Sequence, residues 1–337
     1  MYTRSNMLIR GAKIKMNYVV IDLGSNTIRL SVFCYEDNKI KTILSQKEVA
    51  GLAGYIKGKR MEPEGIKKAC DVLCELKKTA VCFVQESDIH VFAAASLRGI
   101  LNQDEVLDTI QHITGLLPVV LSGEEEARLD FTGASYFTEC KDGILIDIGG
   151  ASTELVRFRD AQPVDLVSMP IGCLSIYSKF VGKMMPNGKE RKKIKKEIRE
   201  QFNAIGWGAE ESFPLMIGIG GTVRAARKLS CELFSAPIDQ NEISAQFVKK
   251  LLRKLKNKEN DIFHTIYKTI PERALTIFTG LMILSEAIKR FESNSIFVSA
   301  YGVREGFLID RIMNLSATET AEGSILKDGD PGSAGGK

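Results

Sequence analysis

The chain has 337 residues, 44% of them hydrophobic and 26% charged, with a formal net charge of +4. That is enough apolar material for a sizeable core, most naturally in two domains. So mild a charge gives no ground for a nucleic-acid partner, and no apolar run approaches the length of a membrane span.

Residues 1–15 are basic but lack the continuous apolar stretch of a signal peptide, and read as an N-terminal extension or an upstream start before Met16. Residues 17–35 and 39–50 read as strands. The first of these, YVVIDLGSNTIRLSVF, is an apolar run up to Asp22, then a polar turn of Gly24, Ser25, Asn26 and Thr27, then a second apolar run. A helix over 62–86 follows, with Cys70 and Cys74 one turn apart on its buried face, then a strand at 89–96 and a loop with Arg98 and Asn102. A helix at 103–115 and a strand at 118–122 lead into SGEEEARLDFTGAS, where Leu129, Phe131 and Ala134 mark a helix starting near Gly123.

The second half begins by repeating the first. GILIDIGGASTELVRF has an apolar run ending at Asp147, a turn of Gly149, Gly150, Ala151, Ser152 and Thr153, and another apolar run. A charged helix at 188–200 and a strand at 214–221 follow, the latter running into a helix from Thr222. Residues 316–337 are polar, Gly-rich and aperiodic, and read as a disordered tail. Alternating strands and helices, with a hairpin opening each half, argue for an α/β fold duplicated about a cleft, with the boundary near 121–138.

Such hairpins suggest phosphate. Small turn residues let backbone N–H groups approach an anion, and an Asp at the strand end sits where it could hold a metal ion. Three scattered histidines leave metal binding to carboxylates, which suits a hard cation. Seven cysteines, without a C-x-x-C pair, read as reduced thiols of a cytoplasmic protein. The lysine-rich runs 188–200 and 249–258 allow two readings: a track for a polyanion, or amphipathic helices with a solvated face.

The motifs D-L-G-S-N-T-I-R-L (22–30), S-L-R-x-x-x-N (96–102), S-G-E-E-E-A-R-L (122–129), D-I-G-G-A-S-T-E-L (147–155), G-I-G-G-T (218–222) and Y-G-V-R-E-G (301–306) occur in order. Together they resemble the exopolyphosphatase / guanosine pentaphosphate phosphohydrolase (Ppx/GppA) family over about residues 17–312, in its short, two-domain form. The resemblance implies duplicated ribonuclease-H-like domains of the actin-like ATPase superfamily: residues 16–121, completed by a C-terminal helix at 303–315, and residues 122–302.

It also implies roles. Glu125, with Glu126 the neighbour most easily confused with it, matches the catalytic base. Asp147 and Glu154 match the acidic metal ligands for Mg2+ or another divalent cation such as Mn2+. Asp22, the two turns, Arg29, Arg98 and Arg273 match phosphate-binding positions, and Gly220, Gly221 and Thr222 match a further ligand loop. Three acids in a helix's first turn are also what the helix macrodipole favours, so the role of Glu125 has a structural rival. Where the family usually has three glycines, this chain has Ala151 third, whose Cβ restricts the turn. The implied activity is metal-dependent removal of the terminal phosphate of inorganic polyphosphate by a cytoplasmic homodimer. Guanosine pentaphosphate is the alternative substrate, and a nucleotide-binding sensor or a kinase of the superfamily are the remaining readings.

Overall fold

The computed structural model describes residues 15–313 except positions 38, 139–140, 209–210, 236–240 and 258–259. The expected extension (all but Lys15) and the expected tail lie outside the described residues.

The first half is built on β1 (Met16–Leu23), β2 (Thr27–Glu36) and β3 (Lys39–Val49), an antiparallel meander. A small hairpin, β4 (Ile56–Lys57) and β5 (Arg60–Met61), precedes helix α1 (Pro63–Ala80), β6 (Ile89–Ala93), α2 (Gln103–Thr114) and β7 (Val119–Val120). The sheet order is β3-β2-β1-β6-β7, with β6 parallel to both β1 and β7. Proline at the first turn starts α1, where its missing N–H costs nothing. Its buried stripe of Ile66, Ala69, Cys70, Leu73, Leu76 and Ala80 covers the sheet and leaves Cys74 only half-buried. The helix stops at Ala80, six residues short of the expected end.

Helix α3 (Gly123–Phe137) leads to a second meander, β8 (Gly143–Ile148), β9 (Thr153–Arg159) and β10 (Gln162–Met169). The chain continues through α4 (Cys173–Phe180), α5 (Gly188–Asn203), β11 (Leu215–Ile219), α6 (Gly220–Phe234), β12 (Glu242–Ser244), α7 (Ala245–Asn257), α8 (Asn260–Thr269), α9 (Ile277–Arg290), β13 (Ser295–Val298) and α10 (Val303–Phe307). Here the order is β10-β9-β8-β11-β13-β12, with β8, β11 and β13 mutually parallel and β12 an antiparallel edge. Both sheets therefore run from an antiparallel meander into parallel strands, the duplicated α/β, ribonuclease-H-like architecture expected.

Helix α3 lies between the sheets. Leu129 packs with Val20, Phe33 and Phe92 of the first half, while Ala127, Phe131 and Ala134 pack with Leu145, Val156 and Ile217 of the second. After α10 the chain returns to the first sheet, where Phe307 stacks on Phe92 at 5.0 Å between ring centroids and Leu308 and Ile312 join the same cluster. Helix α5 buries Ile194, Ile198 and Phe202 and turns Lys192, Lys193 and Lys196 to solvent, the amphipathic pattern. Among the described residues no helix is long and apolar enough to cross a membrane.

Candidate active site

The two hairpins deliver equivalent turns to one cleft of about 340 Å³, within the size range of small-molecule sites. In each, a glycine N–H two residues after the aspartate closes the turn: Gly24 donates to the Thr27 carbonyl at 3.1 Å and Gly149 to the Ser152 carbonyl at 3.0 Å. Asp22, Gly24, Ser25, Asn26 and Thr27 line the cleft from the first hairpin, and Asp147, Gly149, Gly150, Ala151 and Ser152 from the second. The first turn of α4 holds the second loop, since Cys173 and Leu174 donate to the Gly149 and Gly150 carbonyls at 2.9 and 2.8 Å. None of residues 149–151 has a positive φ, so Ala151 enters this turn without backbone strain.

A buried acidic group lies beside the cleft: Asp147 and Glu126 line it, while Glu154, expected as a metal ligand, is buried behind them and does not. Asp147 and Glu154 are cross-strand partners in the β8–β9 ladder, so their side chains share a face. Glu154 is only 1% exposed; it accepts from the Ser168 hydroxyl at 2.7 Å, and burial, then Asp147, push its carboxyl up to about 7. Glu126 lines the cleft and accepts from Arg98 Nη1 at 2.9 Å. Burial and the charges of Glu154 and Asp147 hold it well above the usual carboxylate range, against the pull of Arg98. Asp147 Oδ1 is buried without a hydrogen-bond partner. An orphaned carboxylate oxygen beside a second carboxylate fits a divalent cation. Among the described residues no group of three or more His, Cys, Asp or Glu forms a complete metal site, and magnesium characteristically takes one or two carboxylates, leaving its other positions to phosphate and water.

Four guanidinium groups, from Arg29, Arg224, Arg273 and Arg304, line the same cleft. Burial and the charges of Arg304 and Arg224 pull Arg29 down to about 10, against the opposing charge of Asp22. Between them, Asp22 is raised to about 6 by burial, which outweighs Arg304 and Arg29. Arg304 is fixed by donating to Ser31 Oγ at 2.8 Å. The third loop follows β11: Gly220, at φ +83°, turns the chain so that α6 starts two residues before the expected Thr222. A Cβ at Gly220 would overlap Asp147 Oδ1, and one at Gly221 the Arg273 guanidinium. At the rim, Lys47 of β3 stands 3.8 Å from Glu272, beside Arg273, and links the first sheet to the loop before α9.

Not every expected residue faces this space. Glu125, expected as the base, is not among the lining residues. It forms a capping box with Ser122, accepting from the Ser122 N–H at 2.9 Å, and binds Arg311 at 2.6 Å. Those contacts, the Ser122 backbone first, hold its carboxyl below the usual value. Arg98 sits behind the acids, joining Glu126 to Ser168, and does not line the cleft. Thr153 and Thr222 are buried and donate to the Ile171 and Ile148 carbonyls at 2.6 and 3.4 Å, which makes them braces of the loops. Conversely, Glu126 was named only as the neighbour of the expected base, and Arg224 and Arg304 received no role from the sequence. The capping-box spacing of Ser122 and Glu125 could have drawn the base assignment away from Glu125, and Arg304 lay within a motif already recognised.

The model of the Ppx/GppA phosphatase family matches residues 31–315. Among solved structures, the Aquifex aeolicus Ppx/GppA family member is 23% identical, with 90% of this chain and 99% of that one covered at a TM-score of 0.74. An exopolyphosphatase from Cytophaga hutchinsonii is 21% identical, with 89% and 98% covered at 0.76. A nucleoside triphosphate hydrolase structure from Neospora caninum, 12% identical with 93% and 95% covered, superposes at 0.54. With the family model spanning most of its length, the chain belongs to the Ppx/GppA phosphatase family.

Proposed function

We propose that the protein is an exopolyphosphatase, hydrolysing the terminal phosphoanhydride of inorganic polyphosphate to release orthophosphate. The observation that carries this reading is Glu126: a carboxyl with a raised pKa, held by Arg98, opening onto a cleft lined by two phosphate-type turns and four arginines. Arg29, Arg224, Arg273 and Arg304 neutralise phosphate oxygens through forked donors that stay charged at working pH. The N–H groups of the two turns orient the terminal phosphoryl group. Glu126 takes the proton of the attacking water, the role expected of Glu125. Asp147 and Glu154 would hold a magnesium or manganese ion, which when bound supplies charge neutralisation at the phosphate. Cytoplasmic location and a homodimer are part of the reading through the family resemblance, and the dimer is tested by the sedimentation mass.

Guanosine pentaphosphate ends in the same phosphoanhydride and remains the second substrate, since the lining that supports the reading grips phosphate. Phosphate release from long-chain polyphosphate, guanosine pentaphosphate and ATP, offered side by side with magnesium, tests the choice. Polyphosphate is expected to give the highest kcat/KM. A higher value for guanosine pentaphosphate would move the assignment to it, and release from none would remove the hydrolase reading.

A further inference from the structure

The helix that presents Glu126 carries a second buried acid. Asp130, one turn further along α3, is fully excluded from solvent and does not line the cleft. Its Oδ1 accepts from the Val303 N–H at 2.8 Å, while Oδ2 has no partner. Burying a half-satisfied carboxyl costs stability, so packing alone would favour an apolar side chain. What Asp130 holds is the first residue of α10, across 173 positions of sequence.

That contact lies where α3 and α10 meet backbone to backbone. A Cβ on Gly133 would overlap the Gly302 carbonyl, and one on Gly306 the Leu129 carbonyl. Close approach fixes the distance between the helices, but glycine contacts alone leave α10 free to slide or turn. A directional hydrogen bond at its first residue removes that freedom. The next residue is Arg304, whose guanidinium lines the cleft and binds Ser31.

We propose that Asp130 is a positioning residue: by accepting from the Val303 N–H it sets the first turn of α10 on α3 and so fixes Arg304 relative to Glu126. Burial and the nearby charges of Asp147, Glu126 and Glu154 hold the Asp130 carboxyl well above its usual range. A neutral acid still accepts through its carbonyl oxygen, and an asparagine offers the same acceptor. The inference rests on the hydrolase reading only in taking the ligand of Arg304 to be a phosphate chain.

A double-mutant cycle on the full chain tests it, read by calorimetric binding of inorganic tripolyphosphate and by kcat/KM on polyphosphate. Asp130→Ala breaks the contact from the acceptor side. Val303→Pro breaks it from the donor side, at a first helical position where proline is tolerated, and serves if the alanine variant does not fold. Each is expected to weaken tripolyphosphate binding by about fivefold or more, and to have little further effect once Arg304→Ala is present. Asp130→Asn should stay within about twofold of the parent protein, since it keeps the acceptor. Losses that multiply with Arg304→Ala, or an asparagine variant as impaired as the alanine one, would overturn the proposal, as would a parent protein that binds no tripolyphosphate. Binding without phosphate release would remove the hydrolase reading while leaving the binding cycle to decide Asp130.

Discussion

Asp147 stands directly opposite Glu154 across the β8–β9 ladder, in the register that Asp22 and Arg29 occupy across β1–β2. One duplicated hairpin thus carries an Asp–Arg pair and the other an Asp–Glu pair on the same scaffold. The first presents a guanidinium to an anion, and the second concentrates negative charge where a cation is stabilised.

The second pair makes a thermodynamic prediction. Magnesium should raise the melting temperature, because a ligand that binds only the native state stabilises it by mass action. Asp147→Asn should remove most of that increment and Asp22→Asn should leave most of it. A thermal-shift titration checks this, and equal increments in both variants would place the cation elsewhere.

Glu125 should matter to stability more than to chemistry. Glu125→Ala removes half of the capping box and the Arg311 contact, and is expected to cost about 1 kcal/mol of unfolding free energy with kcat within about threefold of the parent. Urea unfolding and steady-state kinetics together check it. A collapse of kcat with normal stability would restore Glu125 as the base.

The pH profile should bear the mark of Arg98. Glu126 works as a base only when ionised, and its pKa is raised, so the acid limb of kcat/KM should lie above the ordinary carboxylate range. Arg98 pulls that pKa down, so Arg98→Ala should move the limb to higher pH. Stability has the opposite sign. The native state keeps a proton that the unfolded chain releases, so this contribution is present at low pH and lost as pH rises through the raised value. An acid limb unmoved by Arg98→Ala would contradict the assignment.

Gly220→Ala should be severe for a single methyl group. The position has φ +83°, and its Cβ would meet Asp147 Oδ1. Backbone strain and overlap together are expected to cost about 2 kcal/mol or more, with loss of the magnesium-dependent thermal shift. Chemical denaturation with and without magnesium reads both, and a variant that keeps both would show that the third loop does not constrain Asp147.

Much of this was legible in the sequence because it repeats. Two apolar–Asp–turn–apolar segments gave the hairpins and the cleft between them, and the strand and helix patterns gave the α/β class. The parts that were hidden depend on direction in space. Glu125 and Glu126 are adjacent in sequence, yet one turns back to its own helix N-terminus and the other into the cleft. Thr153 and Thr222 carry the hydroxyls expected of phosphate ligands, but spend them on buried carbonyls. Arg224 follows its loop by less than one helical turn, and nothing in the residue pattern says that its charge acts on Asp147, whose carboxyl it pulls down against the upward push of burial.

The most direct test is phosphate release from long-chain polyphosphate with magnesium, comparing the parent protein with Glu126→Gln. Steady release by the parent and a loss of kcat of about 100-fold or more in the variant are expected, with tripolyphosphate binding kept because the arginines and turns are untouched. Undiminished kcat in Glu126→Gln would contradict the assignment of the base and, with it, the reading of the cleft.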